Sequence, residues 1–148
     1  MKLQILKASE KKKIEEKLNQ QYGISKLPYL LIKTGAGKIK AYSGSLSREE
    51  LQTLAREINI DSIGITLLKE EKEFILTYDA VSLLKSQINK NIIEVNKQQA
   101  KDWLKGKDLH LDKDLKGIKV LKYQSFLLGA GKISEGRIAN KERKIKEK

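Results

Sequence analysis

The stretch "LLGAGKISEGRIAN", residues 127–140, sets a lysine behind two closely spaced glycines, and its five letters "GAGKI" also stand earlier, at residues 35–39. A glycine-flanked lysine invites a phosphate, so nucleotide loops are the first reading to test. A phosphate-binding P-loop has a glycine five residues before its Gly-Lys pair and a Ser or Thr after the lysine. Ile32 and Ile39 hold those places in the first copy, Phe126 and Ile133 in the second. A dinucleotide fingerprint would need a third glycine where Lys40 and Ser134 stand. Neither copy is a nucleotide loop, and no nucleotide or S-adenosylmethionine cofactor is expected.

Outward from the second copy, "GIKVLKY", a turn at Gln124 and Ser125, and "FLLGAGKI" read as a hairpin. Its second strand carries glycines in its interior, which signals a bulge or a backbone approaching closely, and a nucleic-acid phosphate is one candidate neighbour. Upstream, "IIEV" reads as a strand. "NKQQAKDWLKGKDL" follows as a helix capped by Asn96, with Ala100, Trp103 and Leu104 grouped on one side and Gly106 as the stop. Downstream, the last eight positions carry five Lys or Arg.

The first part of the chain has a different character. "SEKKKIEEKLNQQYG" reads as a helix with Ser9 as N-cap, Ile14 and Leu18 on one face, and Gly23 as stop. Pro28 opens "YLLIKT", which pairs with "GKIKAYS" as a hairpin, so the first GAGKI is its turn. "SREELQTLAREI" starts with Ser47 and Glu50 in a capping box, and its helix is expected to end near Asn59. "DSIGITLLKEEKEFILTYD" gives two β-rich runs around a solvated "KEEKE" turn, and "AVSLLKSQI" a short helix. The polar residues 89–91 mark the expected boundary. The fold class is therefore α+β: an N-terminal α/β module over 1–88, followed by a smaller β-rich domain over 89–148 with a basic tail.

Composition narrows the function. The 148 residues carry a formal charge of +12, and residues 97–148 hold 15 basic and 7 acidic residues, a surplus of +8. Such a surplus points to a polyanion as partner. The competing explanation, a lysine-rich ion-paired surface of the hyperthermophile kind, accounts poorly for the C-terminal concentration. With no cysteine and a lone His110, thiolate chemistry, disulfides and a histidine metal cluster are all excluded. No apolar run is long enough to span a bilayer, the opening lacks a secretory signal, and the expected location is cytoplasmic.

The order strand "IIEV", short helix, then hairpin ending in "FLLGAGKI" resembles the PUA domain, a small RNA-binding β-barrel, over roughly residues 90–140. "LLGAGKISEGRIAN" looks like its last core strand. The "SIGI" and "LTYDAVSLL" segments of the preceding module are similar to the pre-PUA portion of the Nip family of ribosome-biogenesis factors. The tail "GRIANKERKI" is closer to the PUA-like domain of the Sun/Fmu RNA cytosine-5 methyltransferases. One departure stands out: only "GKDLHLDKDLKG" joins helix and hairpin, so the barrel is abbreviated or borrows a strand. The resemblance implies an RNA groove with Lys101 and Lys105 on one wall. Lys132 beside Gly129 and Gly131 forms the other, with Arg137, Lys141, Arg143 and Lys144 at the exit.

Other residues fit bland roles. Trp103 reads as core, Tyr123 and Phe126 flank the last turn where a base could stack, and Asp112 with Asp114 lacks the companions of an acid/base or metal site. His110 has no nucleophile beside it in the sequence, and no catalytic or metal residue is expected. Three functions remain open. The first is a non-catalytic protein acting on rRNA or tRNA in ribosome biogenesis or RNA modification. The others are an adaptor for a separately encoded methyltransferase, and a module binding other proteins, pre-ribosomal ones included.

Overall fold

The computed structural model describes residues 4–34, 37–57 and 64–140. They gather into two compact units, which divide between Phe74 and Ile75. Among them no helix is long and apolar enough to cross a membrane.

In the first unit, strands β1 (Gln4–Ile5), β2 (Leu30–Lys33), β3 (Lys38–Tyr42) and β4 (Ile65–Lys69) form an antiparallel sheet in that order. Helix α1 (Ala8–Tyr22) buries Ile14, Leu18 and Tyr22 at four-residue spacing, one stripe of a 3.6-residue helix. Gly23 closes it in the left-handed conformation, φ 86°, with its N–H donating to Asn19 O at 2.9 Å. The start differs from expectation: Lys7, not Ser9, is the cap residue, because the Glu10 carboxylate reaches back to accept from the Lys7 N–H at 2.9 Å. Helix α2 (Arg48–Glu57) has the expected capping box. The Ser47 N–H donates to Glu50 Oε1 at 2.8 Å, and the Glu50 N–H donates to Ser47 Oγ at 3.1 Å. Leu51 then packs with Ile5 and Ile32. The helix's expected end at Asn59 and the "SIG" of the expected strand's opening fall partly outside the described residues.

The second β-rich run, "FILT", does not become a strand; only an isolated bridge at Leu76 remains. Side chains of α1 already satisfy the backbone at Phe74: Gln21 Oε1 accepts its N–H at 3.1 Å, and Gln21 Nε2 and the Tyr22 hydroxyl donate to its carbonyl. A residue whose polar groups are met this way has no call for a ladder partner.

The second unit is built on a sheet of order β5 (Ile92–Glu94), β7 (Gly117–Tyr123), β8 (Phe126–Ser134), β9 (Arg137–Ile138) and β6 (Leu109–His110). β5 runs parallel to β7, and the other pairs are antiparallel. The sheet curls into a half-barrel. Two of its strands are only two residues long, which is how the short "GKDLHLDKDLKG" linker is accommodated: the barrel is abbreviated. Helix α3 (Tyr78–Leu84), capped by Thr77 Oγ1 accepting from the Ala80 N–H at 3.1 Å, packs against β8. The polar residues 89–91 lie beyond α3, so the contact division at Phe74 and the sequence boundary at 89 mark different things.

Helix α4 (Lys97–Leu104) has the expected Asn96 cap, and Gln99 completes it as a capping box. Asn96 Oδ1 accepts from the Gln99 N–H at 2.8 Å, and the Asn96 N–H donates to Gln99 Oε1 at 2.9 Å. Ala100 and Trp103 join Val95, Leu109, Leu121, Leu128, Ile133 and Ile138 in one core. Leu104, expected beside them, is 45% exposed, because one step round the helix from Trp103 turns it away from that stripe.

Candidate nucleic-acid interface

Strand register decides which of the expected contact residues stand together. In β8, Gly129 is paired with Leu121 and Gly131 with Lys119, while Ile133 is paired with Ile138 of β9. Leu121, Ile133 and Ile138 belong to the Trp103 core, so both glycines face that core. Each is buried. A Cβ built on Gly129, which has φ 152°, would come within 2.9 Å of Trp103 Nε1. At Gly131 it would meet Ile138 Cδ1 and Cγ1 at 2.8 Å. The close neighbour implied by glycine in a strand is therefore protein. Trp103 lays its indole along Gly129 and donates from Nε1 to Leu128 O at 3.3 Å, and a phosphate has no access to either backbone from that side. The register shift between Leu121 and Lys122 sits beside this contact, where Leu128 is the extra residue of a bulge.

Lys132 alternates with Gly131 and so projects from the opposite face. Its register continues across the sheet: Ser134 is paired with Arg137, and Arg137 with His110. Lys132, Ser134, Arg137 and His110 thus share the outer face at one end of the half-barrel, and all four are exposed. The structure brings Lys132 and Arg137 together here. It does not place Lys132 on a wall facing α4, because the core of the domain fills the space between.

Arg137 is ion-paired with Asp108, whose other oxygen accepts from the Asn140 N–H at 2.8 Å. Asn140 itself is 2% exposed, and its Nδ2 donates to Trp103 O at 2.7 Å and to Lys107 O at 3.4 Å. This network fixes the chain at the last described residue, against the C-terminal end of α4. Lys141, Arg143 and Lys144 lie outside the described residues.

Lys101 on α4 and Lys105, the residue that caps its C-terminal end, are exposed and four residues apart. Lys97, equally exposed and four residues before Lys101, extends them into a stripe of three cations that the sequence reading overlooked. The signal was available in the i, i+4, i+8 spacing. Lys107 lies 4.0 Å from Asp102. Phe126, 61% exposed at the hairpin tip, stands opposite Tyr123, whose hydroxyl accepts from Gln124 Nε2 at 3.3 Å. Asp112 Oδ1 accepts from the Asp114 N–H at 3.0 Å, so that carboxylate pair organises a turn. Among the described residues no three His, Asp or Glu side chains gather as a metal-holding group.

Comparison with known proteins fits this geometry. Residues 90–142 match the family model of the Methyltransferase RsmF PUA domain. Curated relatives include the Ribosomal RNA small subunit methyltransferase F of Aliivibrio fischeri, 28% identical over 93 residues, 62% of this chain and 20% of that protein. The protein of the same name from Psychromonas ingrahamii is 27% identical over 100 residues, 62% of this chain and 21% of its own length. That of Vibrio vulnificus is 24% identical over 91 residues, 61% and 19% respectively. The chain thus spans about a fifth of the length of the relatives it matches.

Proposed function

Residues 90–142 form a PUA-like domain resembling that of the Sun/Fmu RNA methyltransferases, and on that footing we propose that this chain is a non-catalytic RNA-binding protein. Its RNA is ribosomal, its setting is rRNA modification in the cytoplasm, and residues 89–148 form the binding part. The observation that carries the reading is the coincidence of the matched segment with the cationic one. Residues 97–148 hold a surplus of +8, and its exposed cations include two groups, Lys97, Lys101 and Lys105 along α4 and its C-cap, and Lys132 with Arg137 on the outer sheet face.

Lysine and arginine groups of this kind neutralise phosphates and release counterions, which gives affinity without sequence readout. Arg137 already spends much of its charge on Asp108. Gly129 and Gly131 serve as spacers that seat Trp103 and Ile138 and so hold α4 to the sheet. Lys141, Arg143 and Lys144 continue the run of basic residues in the sequence. The name of the relatives supports a second reading, in which the chain holds a separate methyltransferase on its RNA; pull-down with and without ribonuclease distinguishes the two, since adaptor partners survive digestion.

The test is the salt dependence of RNA binding. Replacing Lys97, Lys101 and Lys105 with Ala is expected to flatten the slope of log affinity against log salt by about 0.7 per lost contact on single strands, hence by about 2. The control is Lys12→Ala with Lys13→Ala, both exposed on α1. Lys11 is unsuitable, because its Nζ donates to Tyr29 O at 2.7 Å and its loss disturbs the fold. Equal slopes in the α4 and α1 variants would overturn the assignment in favour of diffuse electrostatics.

A further inference from the structure

Gly37 of the first GAGKI stands in a different setting from Gly131, its counterpart in the second. Thr34 and Lys38 close the turn between β2 and β3, with the Thr34 N–H donating to Lys38 O at 3.1 Å and the Gly37 N–H to Thr34 O at 3.0 Å. Gly37 has φ 79°, and a Cβ built on it meets nothing within 4 Å. Where a Cβ on Gly131 would meet Ile138, the same position on Gly37 is open space.

The register of the sheet then does something unusual with charge. Lys38 is paired directly with Lys69 of β4, both exposed, and Lys40 follows two residues along β3 on the same side, half-buried and paired with Thr66. Side chains directly opposite on antiparallel strands start about 5 Å apart, and like charges there repel. The carboxylate next to Lys69 in the sequence, Glu70, is held by Lys33 at 2.7 Å, and that hydrogen bond and charge raise the Lys33 pKa above its ordinary value. An opposed lysine pair on an open hairpin end is the arrangement that one bridging anion stabilises, since a single phosphate can accept from both ammonium groups.

We infer that Lys38 and Lys69, flanked by Lys40, form a second RNA-phosphate contact surface, on the first unit, separate from the cations of the PUA-like domain. The inference rests on the RNA-binding reading above. A stretch of backbone phosphates is the ligand that matches it: the lysines offer charge, and phosphate contacts add affinity and not sequence choice.

The experiment uses the full chain and a fluorescein-labelled uridine oligoribonucleotide, with affinity measured by anisotropy across a salt series. Lys38→Ala with Lys69→Ala is expected to flatten the slope by about 1.4, two contacts at about 0.7 each, with a melting temperature equal to or above that of the parent because the repulsion is gone. Lys38→Arg with Lys69→Arg is expected to bind as the parent does. Should the alanine pair fold poorly, the glutamine pair keeps the side-chain stems and carries the same test. An unchanged slope in the neutral pair overturns the inference, as does a flattened slope in the arginine pair. If the α4 variant still flattens its slope while the neutral pair does not, the PUA-like domain's role stands without this surface. If neither changes the slope, both readings fall.

Discussion

Replacing Gly129 with alanine separates the two meanings that a strand glycine can have. A methyl group there would lie 2.9 Å from Trp103 Nε1 and 3.5 Å from Cε2 and Cζ2, on a backbone at φ 152° that L-residues rarely adopt. The indole cannot slide away without giving up its donation to Leu128 O, and Trp103 is 4% exposed at the centre of the core. Overpacking of a tight core costs about 1–3 kcal/mol, a disfavoured backbone about 1–3 kcal/mol, and a buried N–H left unpaired about 1–3 kcal/mol. Partial relaxation relieves some of each, so the expected loss is about 2–5 kcal/mol, or a melting temperature lowered by roughly 10–30 °C for a unit of this size. Trp103 is the only tryptophan in the chain, so fluorescence-detected urea or thermal unfolding reports on this unit. Gly131→Ala should cost less, about 1–3 kcal/mol, because its backbone is not at positive φ and its close contacts are with the Ile138 side chain. If Gly129→Ala lost under about 0.5 kcal/mol while RNA affinity collapsed, the packing argument would be refuted and close phosphate approach restored.

Two further outcomes follow from the same geometry. Asn140→Ala removes the donation to the Trp103 carbonyl at 2.7 Å and leaves that carbonyl with the Gly106 N–H at 2.9 Å, so it is expected to lower stability by about 1 kcal/mol in the same fluorescence assay; a neutral result would mean that the chain end is not clamped to α4. The two capping boxes should each be worth about 1 kcal/mol, so Asn96→Ala and Ser47→Ala are expected to lower the urea midpoint followed by circular dichroism, and a change within error in both would discount the hydrogen bonds at 2.8 and 3.1 Å.

Local chemistry was legible in the sequence because it is carried by neighbours along the chain. Ser47 with Glu50, Asn96 with Gln99, and the stops at Gly23 and Gly106 are interactions within a few residues, and they stand where their letters place them. The hairpins around Gly37 and Gln124, the burial of Trp103 and the cationic C-terminal half were equally readable. Tertiary structure decided what such signals cannot contain. The fate of "FILT" depended on Gln21 and Tyr22, more than fifty residues away, meeting the backbone of Phe74. The glycine before the lysine has one propensity and two settings, Gly37 at positive φ with open space at its Cβ position and Gly131 in a strand against Ile138. The partition of the cations was decided by register, since a strand alternates its faces residue by residue. Lys132 stands away from α4 because Gly131 must face Ile138, and Lys38 opposes Lys69 because β3 and β4 pair as they do. Composition says how much positive charge the chain carries, and only the pairing of strands says which charges meet.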